Sequence, residues 1–319
     1  MNTCINKIRE LSLELLEKGE VEKVIGFANG TIPMATSPIA VTSKQDIEKL
    51  VFNSTCGLNL ANYLKQSLKN QKSKIAVIAK GCDARNIVTH ITENQVRRNQ
   101  VYIIGVPCNG MIDKVKIASL FDDEITSFSE DGDTLTVKSS LKEEQLSKKD
   151  YLRENCSLCM HRNPAIYDAL AADLVEEQTF DNPYPDVDKI EAMDSDTKWQ
   201  YFSDLTKNCI RCYACRNACP ICYCPTCFVD ESGPQWVGKG QNKTDVDTFH
   251  FLRAFHCAGR CTDCGACVEA CPMDINVRAF TRKLNKDSFE MFGWEAGLSL
   301  SKRPPLDTYN PDDPDDFIK

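Results

Sequence analysis

Two stretches of the chain share one cysteine spacing, CIRCYACRNACP over residues 209–220 and CTDCGACVEACP over residues 261–272. Each reads Cys-x2-Cys-x2-Cys-x3-Cys-Pro, so three sulfurs must turn inward from one tight loop before a proline ends the run. In such a pair the first three thiolates hold one iron–sulfur cubane and the fourth reaches across to the other. That rule groups Cys209, Cys212 and Cys215 with Cys271, and Cys261, Cys264 and Cys267 with Cys219. Soft, anionic sulfur in fours suits tetrahedral iron–sulfur ligation. The competing reading is a pair of structural zinc knuckles, which usually place two cysteine pairs across a spacer rather than three evenly spaced cysteines.

More sulfur lies between the runs. Cys222, Cys224 and Cys227 follow Pro220, and Cys257 precedes the second run, which makes up the number a further 4Fe–4S cluster needs. A zinc site or plain buried thiols are the alternatives, and His250 or His256 is able to stand in for one sulfur. The chain holds 18 cysteines in 319 residues. No charged segment followed by an apolar one opens it, and no apolar run is long enough to span a bilayer. The expectation is therefore a cytoplasmic protein without membrane insertion, whose cysteines stay reduced as metal ligands. A net charge of -8 argues against nucleic acid as a partner.

The first half reads as α/β. Ile5, Ile8, Leu11, Leu15 and Leu16 share one face of an opening helix that ends near Gly19. Val24–Phe27 and Ile32–Val41 read as strands or edges, and Ser43–Leu50 and Asn59–Asn70 as helices. Ile75–Ala79 is a buried strand, followed by Lys80-Gly81-Cys82-Asp83 and a helix. Val101–Val106 is a second buried strand, followed by Pro107-Cys108-Asn109-Gly110. Strand, helix, strand of this length predicts a right-handed crossover with parallel strands. Parallel neighbours place Cys82 and Cys108 at one carboxyl-end edge of the sheet, where ligand sites of open α/β sheets lie. Beyond an acidic segment (Phe121–Asp133) and a hairpin-like Thr134–Lys138, ENCSLCMHRNP adds Cys156 and Cys159. These four form a candidate 4Fe–4S set, with Cys56 as an alternative ligand.

The segments VIAKGCDARNIVTH, IIGVPCNG and ENCSLCMHRNP, in this order, resemble the beta subunit family of the deazaflavin (coenzyme F420) hydrogenases and dehydrogenases. The appended ferredoxin module resembles electron-transfer subunits of formate dehydrogenase and heterodisulfide-reductase-type complexes. The resemblance covers most of residues 20–285. It implies an α/β domain with one cubane and, in many members, a bound FAD that oxidises or reduces the deazaflavin. No stretch of this sequence is assigned to flavin contacts. The implied partners are other oxidoreductase subunits of flavoprotein, formate dehydrogenase or hydrogenase type.

The expected organisation is an α/β domain over 1–180, a linker over 181–198, and a dicluster ferredoxin-like α+β domain over 199–285 with a cysteine-rich insertion. An acidic, proline-rich docking tail follows over 286–319, with Phe317 and Ile318 as anchors; a solvated tail is the other reading of it. There is no G-x-G-x-x-G after a strand and no Walker loop, and no catalytic residue is assigned. The function expected is electron transfer within a multi-subunit cytosolic anaerobic oxidoreductase, carried by single electrons through two to four 4Fe–4S clusters. The competing reading is an FAD-containing reductase acting on deazaflavin or a similar hydride carrier.

Overall fold

Aliphatic runs buried along their length build the centre of the first half. The computed structural model describes residues 2–69, 74–308 and 311–312, and the chain divides into two units, Met1–Phe180 and Asp181–Lys319. In the first, helix α1 (Asn2–Glu17) buries Ile8 and Leu15 and packs Ile5, Leu11 and Leu16 against the core. Strands β1 (Val24–Asn29) and β2 (Thr36–Val41) pair antiparallel, Val24 opposite Val41. A 3-10 turn over Leu60–Tyr63 runs into helix α2 (Leu64–Leu68). Strand β3 (Ile75–Ala79), helix α3 (Gly81–Thr92) and strand β4 (Val101–Gly105) form the expected crossover, with Ile75 beside Val101 and Ala79 beside Gly105.

The sheet order is β2-β1-β3-β4-β8, where β8 is the two-residue Ala169–Leu170; every pairing but β1–β2 is parallel. Helix α4 (Lys114–Ala118) leads to a second, three-stranded antiparallel sheet of β5 (Ile125–Asp131), β6 (Thr134–Ser139) and β7 (Glu143–Ser147). Leu135 and Val137 of β6 bury their side chains with Ile112, Ile117 and Phe121, which gives this sheet its own small core. Short helix α5 (Glu154–Ser157) then carries Cys156.

The second unit departs from expectation in two ways. Among the described residues it has no strand, so the ferredoxin half is helical rather than α+β. Residues 181–198 are not a linker: Pro185 opens helix α6 (Pro185–Glu191), and Asp194 caps helix α7 (Ser195–Thr206) by accepting the Thr197 N–H. The acidic residues of α6 are there to meet a basic face. Helix α11 (Arg278–Phe292) places Lys286 2.6 Å from Asp188 and Arg282 3.1 Å from Asp186. Helices α8 (Ala214–Asn217), α9 (Lys243–His256) and α10 (Ala266–Glu269) complete the unit.

The expected tail boundary also moves. Residues 286–292 continue α11, which ends at Gly293 with φ +58. Trp294 Nε1 donates to Gly259 O at 2.6 Å, and Ala296 is buried. Phe317 and Ile318 lie outside the described residues. No described helix is long and apolar enough to cross a membrane.

Candidate metal centres

The two cysteine runs fold alike because each twists its backbone left-handed at the same two places. Arg211 (φ 54) and Tyr213 (φ 61) in the first run match Asp263 (φ 56) and Gly265 (φ 71) in the second. Non-glycine residues pay a steric penalty there, so three of them at repeated positions mark an imposed loop shape. The twist turns amide N–H groups onto sulfur: Arg211 N–H to Cys209 Sγ and Asp263 N–H to Cys261 Sγ, both at 3.4 Å. Ile275 N–H reaches Cys271 Sγ at the same distance. Such bonds spread thiolate charge and orient the ligand sulfurs of an iron–sulfur site. The third cysteine of each run sits second in a short helix, Cys215 in α8 and Cys267 in α10.

Cys271, 56 residues along from Cys215, nevertheless lines one cavity together with Cys209, Cys212 and Cys215. His250 of α9 lines it too, its Nε2 3.3 Å from Cys209 Sγ. In the other set, Cys261 packs against the buried Cys219. Burial raises the Cys264 thiol, and charge on Cys219, Cys261 and Cys267 would raise it further. Burial likewise pushes Cys267 up to about 12. A cation such as cluster iron, binding at sulfur, displaces the proton of such a thiol.

Cys219 has other neighbours as well. Its Sγ, with those of Cys222 and Cys257, forms a trio within 4.8 Å of one another. Hydrogen bonds from Cys222 and Cys257 hold the Cys219 thiol well below its ordinary value. The expected set of Cys222, Cys224, Cys227 and Cys257 is not gathered: Cys227 packs with the apolar group around Val229 and Phe249, and Cys224 is exposed. Residues 224–226 are exposed, while Cys257, at the end of α9, returns to Cys219 and Cys222.

Arg253 stands amid these sulfurs, only 4% exposed, and its Nη2 donates to Cys215 O at 3.2 Å. It shares a buried face of α9 with Val246, Phe249, His250 and Ala254. An arginine on an otherwise apolar helical stripe is a legible signal, and the spacing argument passes over it.

In the first unit, Cys82 lies in the first turn of α3 and Cys108 just beyond β4, at the same edge of neighbouring parallel strands. The Cys156 and Cys159 segment folds back against them. Cys108 N–H donates to Arg162 O at 3.0 Å, and Gln178 Nε2 donates to Cys159 O at 2.9 Å and to Cys156 O at 3.3 Å. Gly81 permits the approach, since a Cβ there would stand 2.3 Å from His161 O. Burial pushes the Cys108 thiol up to about 12, with the charge of Cys156 adding and that of Lys80 opposing. Gly110 N–H reaches Cys108 Sγ at 3.4 Å, the same bond seen in the ferredoxin loops.

Lys80 is a further residue that spacing does not flag. Its Nζ is buried, 2.8 Å from Asp83 Oδ2 and 3.0 Å from Leu58 O, and lies 5.0 Å from the Phe27 ring centroid. Its charge acts on both Cys82 and Cys108. Cys56, the alternative ligand, is fully buried with its Sγ 3.9 Å from Asn53 Oδ1, and burial raises it to about 11. A cavity of about 350 Å³ borders this edge, lined by Asn109, Gly110, Glu130, Lys148 and Asp173 among others.

The enclosure of Cys271 with the first run's sulfurs, the amide-to-sulfur bonds and the matched left-handed turns are features of a dicluster iron–sulfur module. Residues 205–275 match the family model of a 4Fe-4S dicluster domain, and this half carries 4Fe–4S clusters. The resemblance to the F420 hydrogenase and dehydrogenase beta subunits holds along nearly the whole chain. It is 24% identical to the F420-dependent formate dehydrogenase subunit beta of Methanocaldococcus jannaschii, covering 95% of this chain and 94% of that protein. It is also 24% identical to the F420-dependent formate dehydrogenase 1 subunit beta of Methanococcus maripaludis, covering 95% and 93%. Among solved structures, a chain of the F420-reducing [NiFe] hydrogenase complex from Methanosarcina barkeri overlaps at a TM-score of 0.38. It is 15% identical, over 51% of this chain and 59% of that one.

Proposed function

We propose that this chain is the iron–sulfur electron-transfer subunit of a multi-subunit oxidoreductase. When bound, each 4Fe–4S cluster takes up and returns one electron at a time. Cys209, Cys212, Cys215 and Cys271 hold one cluster and Cys219, Cys261, Cys264 and Cys267 another; Cys82, Cys108, Cys156 and Cys159 hold a third in the α/β unit. The observation that carries this reading is the enclosure of Cys271 with the three sulfurs of the distant first run. The amide bonds to Cys209, Cys261, Cys271 and Cys108 orient the ligands and favour the more negative state.

The partners fitting this role are other oxidoreductase subunits, a formate dehydrogenase-type catalytic subunit above all, which the names of the curated relatives support; a hydrogenase-type subunit or a flavoprotein is the alternative the resemblance implies. The compartment is the reducing cytosol expected of a chain whose cysteines serve as ligands. One test is bleaching of the anaerobically purified chain by dithionite, followed by reoxidation with a one-electron acceptor. Repeated cycling of the visible absorbance is expected; a colourless chain that does not cycle overturns the reading.

A second reading, an FAD-containing reductase of a hydride carrier, draws on the 350 Å³ cavity beside the Cys108 loop, which is within the range of cofactor pockets. Acid release of the cofactor separates the two: one flavin per chain supports the reductase, and iron with sulfide alone supports the relay.

A further inference from the structure

A buried charge must be paired or neutralised, because the protein interior solvates it poorly. Arg253 breaks that pattern among the carboxylates. It is 4% exposed, no carboxylate pairs with it among the described residues, its one hydrogen bond goes to Cys215 O, and its Nε has no partner. Arg211, the other buried arginine of the cysteine loops, has Asp245 Oδ2 at 3.8 Å. What surrounds Arg253 is sulfur. Its Nη2 holds Cys215 O of one set, and Cys257, one helical turn further along at the end of α9, brings its Sγ within 4.8 Å of those of Cys219, a member of the other set, and Cys222. A guanidinium keeps its proton in proteins, so the charge stays in place.

We propose that Arg253 is the residue that sets the reduction potential of the centre held by Cys219, Cys261, Cys264 and Cys267. This rests on the electron-transfer reading above. A fixed, desolvated guanidinium favours whichever state of its neighbour carries more negative charge. One-electron reduction adds one unit of negative charge and needs no proton, so Arg253 raises the potential. The cation is compensated by thiolates and by the added electron instead of by a carboxylate. A carboxylate partner would cancel the field at the cluster, which accounts for its absence from this site. Arg253 also touches Cys215 O, so its field reaches the first set as well.

The test compares the anaerobically prepared full chain with its Arg253→Gln and Arg253→Lys variants, titrated with dithionite and followed by electron paramagnetic resonance. In Arg253→Gln the reduced-to-oxidised ratio of this centre at fixed potential should fall by about tenfold or more, a midpoint lower by about 59 mV for one electron. Arg253→Lys should recover most of the shift. Full iron content with both midpoints unchanged in Arg253→Gln overturns the proposal. Should that variant not retain iron, the wild-type chain labelled with nitrogen-15 arginine decides: a resolved nitrogen coupling to the reduced centre is expected, and its absence overturns the proposal. A wild-type chain with no dithionite-reducible signal overturns the electron-transfer reading itself, an outcome distinct from an unshifted midpoint.

Discussion

The Nε2 of His250 lies 3.3 Å from the Sγ of Cys209. Burial lowers the histidine pKa to about 4, with Arg253 adding to the effect. The ring is therefore neutral at working pH, and a cluster-bound Cys209 thiolate would accept an N–H from its Nε2. The ring also stacks on Phe280 at 5.4 Å, which fixes its orientation. His250→Phe keeps the stack and removes the donor. The first centre should then become harder to reduce by several-fold, about 1 kcal/mol for one lost hydrogen bond. Potentiometric titration checks this, and an unchanged midpoint with full iron content would sink the idea.

Cys271→Ser should disturb the centre of the CIRCYAC run, although residue 271 belongs to the other run. Loss of about four irons per chain is expected, with the signal of the CTDCGAC centre retained. Spectra in which only the CTDCGAC centre changes would show that each run closes on itself.

Gly81→Ala places a Cβ 2.3 Å from His161 O and 3.0 Å from Asn163 O, both backbone atoms that have no rotamer to escape into. The α/β unit should lose about 1–3 kcal/mol, and its iron content should fall because the Cys159 segment is pushed off α3. A melting temperature and iron content equal to wild type would contradict this packing.

Acid should loosen the seam between α6 and α11. Hydrogen bonds from Lys286 to Asp188, and from Lys283 and Lys286 to Glu191, hold both carboxyls below their ordinary values. A folded pKa lower than the unfolded one gives stability above the unfolded value that is lost as pH falls through the folded value. The loss should therefore begin below about pH 4, where unfolded Asp and Glu titrate. Circular dichroism against pH should show it, with the slope reduced in an Asp188→Asn, Glu191→Gln double variant. An identical slope in the variant would place the acid-labile groups elsewhere.

The parts of this architecture readable from the sequence are those fixed by local rules. Ile75–Ala79 and Val101–Gly105 are apolar along their length and bounded by turn residues, so their parallel pairing and the shared edge of Cys82 and Cys108 followed from the crossover rule. The expected antiparallel hairpin at Thr134–Lys138 was only the middle of a sheet. β5 and β7 are charged and half exposed, and they pair through the backbone.

Residues 181–198 look like a linker because their partners, Arg278, Arg282 and Lys286, lie some ninety residues away in sequence. The cysteine count in the insertion pointed to four equivalent sulfurs. The folded chain separates Cys222 and Cys257 from Cys224 and Cys227, because α9 returns only Cys257 to Cys219. Arg253 and Lys80 escape spacing arguments altogether, since the value of a buried cation depends on what surrounds it in three dimensions.

Counting iron and acid-labile sulfide in the anaerobically purified chain bears most directly on the electron-transfer account. Three cubanes require about twelve of each per chain. About eight would leave the α/β unit without a cluster, and about sixteen would mean that the insertion gathers its four cysteines after all. Zinc with no sulfide would contradict the account outright.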